Sequence, residues 1–346
     1  MDALLYWIAL ACIKLLQALP LRGVARLGRV GGGLAWWVDG RHRRVAIENL
    51  TRCFGREKSA LEIRALAREN FKRLGENYGC AIKTASMAWS GLEKHLEFGG
   101  LEKLEHGEAQ CVGAAGFASS LERFNASTLS PRRTAAKAGQ RSDGPTSRVM
   151  AIGHFGNFEL YARANHLFPG FQFATTYRAL KQAALNKLLV ELRTGSGCLV
   201  FERRRDGDAL RAAMSSQRLV LGFLSDQHAG TGGAWIPFFN QPCSTTIAPA
   251  IFARRYKAPL HTAICYRVGL ARWRIEVGDE IPTQQDGQRR SSEEIMLDVN
   301  KVFEAAIRRD PANWFWVHKR WKPDQSNATG AMAKVEQPAT QLENRE

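Results

Sequence analysis

The regular exchange of strand-like and helix-like stretches between Arg148 and Arg309 most constrains this chain. "RVMAIG" (148–153) reads as a strand and "NFELYARANHLF" (157–168) as a helix. "FQFATTYR", "CLVFER" and the strongly apolar "LVLGFLSD" read as further strands. "AALNKLLVELR" and "DALRAAMSSQ" are the helices between them. "AWIPFF" reads as a short strand, "IAPAIFARRY" as a helix, and "PLHTAICYR" and "RWRIEV" as strands that close the sheet. A last helix opens at the capping box "SSEE" (291–294), carries Ile295, Val299, Val302, Phe303 and Ala306 on one face, and stops at Asp310–Pro311. Such alternation predicts an α/β fold, a mixed central sheet flanked by helices.

The N-terminal third is organised differently. "ALLYWIALACIKLLQAL" (3–19) is apolar except for Lys14 and Gln17, and Pro20 ends it. As a helix it reaches about 26 Å, marginal against a bilayer core of about 30 Å. Arg22, Arg26, Arg29 and "RHRR" (41–44) follow it and only Asp2 precedes it. That bias places the following chain in the cytoplasm and differs from a secretory signal. Tyr6, Trp7 and "AWW" (35–37) suit an interface. The expectation is an N-terminal membrane helix within an anchor or interfacial segment, 1–40, that either spans the bilayer or lies in its surface. "SALE" (59–62) is a second capping box, opening a helix with an apolar stripe from Ile63 to Tyr78. It belongs to a helical part, 41–110. Residues 111–147 carry few large apolar side chains and no period, which predicts a flexible insertion ahead of the α/β catalytic core, 148–324. A flap over the site, a membrane-touching loop and an artefact of the gene model all remain open for it. The tail, 325–346, is polar and expected to be disordered.

In open α/β sheets, sites gather at the carboxyl ends of strands, where "AIGHFGNFEL" (151–160) places His154. Gly153 and Gly156 permit a sharp turn and close approach of a substrate, and the helix start can face negative charge. An imidazole there can accept a proton near neutral pH. A carboxylate bonded to its other nitrogen fixes the tautomer. His154 with Glu159 is therefore the expected general-base dyad. No G-x-S-x-G elbow, H-E-x-x-H pair or P-loop accompanies it. The nucleophile is then expected to be a substrate hydroxyl, and a base that activates a lipid hydroxyl beside a membrane anchor points to acyl transfer.

"GHFGNFE" resembles the His-x4-acid motif of the lysophospholipid acyltransferase superfamily. The wording is closest to the lauroyl/myristoyl acyltransferases of lipid A biosynthesis. "RHRRVAIENLTRCFG" (41–55), "TYRALKQAALNKLLVELR" (176–193), "LSDQHAG" (224–230), "WIPFFNQPCSTTIAPAIFA" (235–253) and "WFWVHKRWKP" (314–323) resemble further blocks of that family. Asn240 and Cys243 depart from its usual glycine and small residue. The resemblance implies a glycerol-phosphate acyltransferase-like fold. It implies transfer of a fatty acyl chain from acyl carrier protein, or acyl-CoA, to a hydroxyl of a lipid A precursor, with no cofactor and no metal. It places the catalytic domain on the cytoplasmic face of the bacterial inner membrane. His154 is then the base and Glu159 its orienting partner. Gly156, Asn157, Arg178, Arg193, Asp226 and Gln227 are expected to bind substrate, the arginines through phosphate or pantetheine oxygens. Lys319, Arg320 and Lys322, set among Trp314, Trp316 and Trp321, suit an anionic lipid interface.

The formal charge of +16 calls for an anionic partner, and an acidic carrier protein and the inner-membrane surface both qualify. No recognition motif supports nucleic acid. Seven cysteines without a CxxC pair fit a reducing compartment. Acyl transfer to another membrane glycolipid, a phospholipid or an ornithine lipid stays open, as does a His-dependent thioesterase. A scaffold that lost its chemistry is disfavoured by the intact His154 and Glu159.

Overall fold

The computed structural model describes residues 2–104, 147–168 and 170–322. The expected insertion at 111–147 (all but Ser147) and the tail at 325–346 lie outside the described residues.

Helices α1 (Asp2–Ala18), α2 (Leu21–Val38), α3 (Gly40–Phe54) and α4 (Ala60–Ala85) come first, followed by the single turn α5 (Trp89–Leu92). Both capping boxes form, Ser59 with Glu62 and Ser291 with Glu294, each carboxylate reaching back to the cap backbone. Helices α2 and α4 cross in backbone contact. A Cβ on Gly32 would lie 2.1 Å from the Phe71 carbonyl oxygen, and one on Gly75 2.1 Å from that of Gly28.

Of the two expectations for the N-terminal helix, to span the bilayer or to lie in its surface, the spanning one is corrected here. No helix among the described residues is long and apolar enough to cross a membrane. Helix α1 has 17 residues, Pro20 caps the start of α2, and Lys83 of α4 donates to the Gln17 carbonyl at 2.5 Å. Trp36, expected at an interface, is 2% exposed and packs edge-on against Phe71, whereas Trp37 faces outward.

The central sheet has seven strands in the order β1-β9-β8-β2-β5-β3-β4. These are β1 (Leu96–Gly99), β2 (Arg148–Ile152), β3 (Gln172–Tyr177), β4 (Leu199–Glu202), β5 (Leu219–Leu224), β8 (Leu260–Gly269) and β9 (Arg272–Val277). Only the β8–β9 pair is antiparallel. Strand β2 is buried at every position, as a central parallel strand must be. Helices α6 (Ala183–Thr194), α7 (Gly207–Ser216), α8 (Ala248–Tyr256) and α9 (Ser292–Arg309) complete the layers.

Three elements depart from the sequence reading. Strand β1 joins the main sheet from within the part expected to be helical, 41–110. "AWIPFF" becomes β6 (Ala234–Phe238), which leaves the main sheet and pairs antiparallel with β7 (Gln241–Thr245). The two-residue loop between them, Phe239 at φ 50° and Asn240 at φ 58°, has the left-handed geometry of a tight hairpin. The segment after His154 forms a 3-10 helix, Phe158–Leu167, instead of an α-helix.

The C-terminal segment is pinned from below by two asparagines. Asn49 of α3 donates to the Trp316 and His318 carbonyls, and Asn70 of α4 to those of Ala312 and Trp314. Trp314, Trp316 and Arg320 are all buried. Arg320 donates to the Gln227 and Ser244 carbonyls and to Thr245 Oγ1. These three residues build the interior, as a core role for the tryptophans requires, and Arg320 is thereby corrected from its expected place at a lipid interface; Lys319 and Lys322 remain exposed.

Candidate active site

Strands β2 and β5 run side by side in parallel, with Ile152 paired to Leu224. Two residues beyond each, His154 and Asp226 therefore emerge at the same edge. Nδ1 of His154 lies 2.7 Å from Asp226 Oδ1, and the His154 backbone N–H donates to Oδ2 at 2.8 Å. The Trp314 indole N–H also donates to Oδ2, at 2.7 Å. Burial pushes the Asp226 carboxyl up, but the His154 imidazole and these donors outweigh it and hold it below the ordinary carboxylate range. An ionised Asp226 fixes the imidazole proton on Nδ1 and leaves the Nε2 lone pair outward, where the Gln227 amide stands 3.4 Å away.

Glu159 is not the partner of His154. Its carboxylate takes both prongs of the Arg193 guanidinium, Nε at 2.8 Å and Nη2 at 2.5 Å. The physical reason is local. The tight 3-10 turn carries Glu159 toward the last turn of α6, while strand pairing delivers Asp226 to the ring. Burial disfavours the Arg193 charge, but Glu159 outweighs it and holds the guanidinium more firmly protonated.

The remaining expected residues divide. Gly156 sits at φ 51°, where a Cβ would meet the Cys265 carbonyl oxygen at 2.5 Å, so its smallness serves the backbone crossing. Gly153 is equally crowded, by the Phe155 ring at 2.6 Å. Asn157 is 1% exposed and lines the cleft beside His154. Arg178 stands exposed just past β3, outside that cleft.

Two cavities meet at Phe158 and Glu159, which line both. One is the cleft, about 20 Å³, bounded by Leu74 and Tyr78 of α4, by His154 and by Phe315. That is room for about one water or hydroxyl. The other is an apolar chamber of about 80 Å³ on the same measure. It lies between one sheet face and the 3-10 helix, walled by Met150, Ile152, Phe173, Val220, Leu224 and Val277. Gly222 of β5 keeps this face low, since a Cβ there would stand 3.2 Å from Ile152 Cδ1.

Comparison with known families decides what this arrangement belongs to. The family of bacterial lipid A biosynthesis acyltransferases matches residues 1–115 and 139–323. The chain belongs to this family. It is an acyltransferase, and the matched range spans the helical N-terminal part, the whole described sheet and the pinned C-terminal segment. No match was found among curated proteins.

In this member of the family, sequence reasoning missed three contacts that build the site: Asp226 as the partner of the imidazole, Trp314 as the second support of Asp226, and Arg193 as the partner of Glu159. The available signal was positional, because Asp226 ends the most apolar strand as His154 ends its neighbour. His318 was also passed over. Its Nε2 accepts the His228 backbone N–H at 3.1 Å, and burial, with nearby cations, brings its pKa down to about 4. No group of His, Cys, Asp and Glu that could hold a metal ion occurs among the described residues.

Proposed function

We propose that this acyltransferase moves a fatty acyl chain from the thioester of acyl carrier protein to a hydroxyl of a lipid A precursor. His154, oriented by Asp226, is the general base. The observation that carries the reading is the junction of a carboxylate-held imidazole with an apolar chamber. His154 Nε2 takes the acceptor hydroxyl proton, the oxygen attacks the thioester carbon, and the carbon–sulfur bond breaks. The proton passes to the leaving thiolate, giving ester and free thiol. The acyl tail occupies the chamber. The Glu159–Arg193 pair ties the 3-10 helix to α6 where the two cavities share their lining. The +16 charge favours approach of an acidic carrier.

The same reading places the enzyme on the cytoplasmic face of the inner membrane, with α1 and α2 lying in its surface. Leu4, Trp7, Ile8 and Leu15 of α1 and Leu27, Val30, Leu34, Trp37 and Val38 of α2 are exposed, an apolar area suited to the lipid boundary.

The test incubates the purified full chain with acyl carrier proteins bearing different chains. A lipid A precursor, a lysophospholipid and an ornithine lipid compete as acceptors, and products are read by mass spectrometry. Acylated lipid A precursor is the expected main product. Acylation of another lipid, or free fatty acid released equally without acceptor, would overturn the assignment.

A further inference from the structure

We infer that Asn157 is a further catalytic residue, whose side-chain amide donates to the carbonyl oxygen of the acyl group as negative charge develops there. This rests on the acyl-transfer reading above.

Asn157 stands at the N-cap of the 3-10 helix, where an asparagine ordinarily bonds the following backbone, yet its side chain makes no cap bond. The residue is 1% exposed, and neither its Nδ2 nor its Oδ1 has a hydrogen-bond partner among the described residues. Buried polar groups are nearly always paired, and one left unpaired weakens the fold. Here the residue that carries the orphaned amide lines the same small cleft as His154, a volume fit for one oxygen-bearing group. The Gly156 N–H donates to the Asn313 carbonyl, and the Asn157 carbonyl accepts from Leu160 N–H and the Cys265 thiol. The Asn157 amide is left to meet a substrate.

The attacking hydroxyl and the thioester carbonyl must both reach His154, and the chemistry separates their needs. The hydroxyl gives its proton to Nε2 and requires no second donor. The carbonyl oxygen gains negative charge when the new carbon–oxygen bond forms and loses it when the carbon–sulfur bond breaks and the thiol departs. A fixed amide in a dry cleft strengthens its bond to that oxygen at the moment of charge build-up, without reorganising. The unmet hydrogen bonds of the resting enzyme are thus met in the reacting complex.

The experiment replaces the amide by apolar groups, Asn157→Leu and Asn157→Ala, in the full chain. It measures kcat, KM and thermal unfolding with an acyl carrier protein donor and the lipid A precursor. Removing an oxyanion donor is expected to lower kcat by about 10²–10³-fold with KM changed by less than about threefold. Because nothing in the resting enzyme uses the amide, Asn157→Leu is expected to unfold at the wild-type temperature or above it. A structural role predicts the reverse, a lower unfolding temperature with kcat retained in the folded fraction. A kcat within about threefold of wild type in either variant overturns the inference while leaving the acyl-transfer reading intact. A wild-type enzyme that transfers no acyl chain overturns that reading instead.

Discussion

Asp226 holds one side of the imidazole through its carboxylate and receives the His154 backbone N–H and the Trp314 indole on its other oxygen. Asp226→Asn keeps the shape and removes the charge. It should lower kcat by about 10²–10⁴-fold, as expected when a base loses its tautomer and its counter-charge. Glu159→Gln should also reduce turnover, by loosening Arg193, but less than Asp226→Asn does. A loss in Glu159→Gln as large as that in Asp226→Asn would return Glu159 to the role of the histidine's partner. His318 carries a pH signature. Its folded pKa of about 4 lies below its ordinary value, so the unfolded chain binds a proton first as pH falls. The stability it contributes is complete above about pH 6.5 and is lost on acidification toward pH 4. His318→Gln, whose amide oxygen can still accept from His228, should unfold with less loss of midpoint over that window. Equal loss in the two proteins would show that His318 does not couple to folding.

At the level of elements, the strands and both capping boxes could be read from periodicity and cap residues, because those signals are local. The neighbour relation of β2 and β5 could not. It depends on which strands share a sheet, and five elements separate them along the chain. The dyad was therefore sought in the adjacent Glu159, assuming an α-helix, where the chain makes a 3-10 turn. His154 itself was legible from its place after an apolar run, and Arg193 was legible only as a cation. The exit of β6 and β7 into their own hairpin was hidden for a related reason. It follows from Phe239 at positive φ, a geometry a phenylalanine does not advertise. The β5 face carries a prediction of its own. Gly222→Val would push a branched side chain against Ile152 and into the chamber. Met150→Ala would hollow the same floor. When donors of several lengths compete, the first should shift product toward shorter acyl chains and the second toward longer ones. Shifts in the same direction, or none, would show that the chain lies elsewhere.

For the whole molecule, the question is how the His154 site meets a lipid acceptor. The exposed stripe of α2 predicts that Leu34→Glu with Val38→Glu abolishes sedimentation with anionic vesicles while far-ultraviolet circular dichroism stays unchanged. Wild-type binding should weaken with salt without vanishing, since the apolar part is not screened. Undiminished sedimentation of the double variant would remove α2 from the membrane surface. The crossing of α2 over α4 has a consequence beyond packing. Glycines at 28, 32 and 75 bring the two backbones into contact, and the buried Glu76 joins Arg29 of α2 to Arg267 of β8. Beside them on α4, Leu74, Asn77 and Tyr78 form a wall of the His154 cleft. If α2 rests on lipid as proposed, the reactive nitrogen would be carried at a set height above the acyl region, as a gauge is fixed to its base plate. Among lipids of equal chemistry, those whose free hydroxyl stands at that height would then be acylated, and the acceptor would be chosen by elevation as much as by shape.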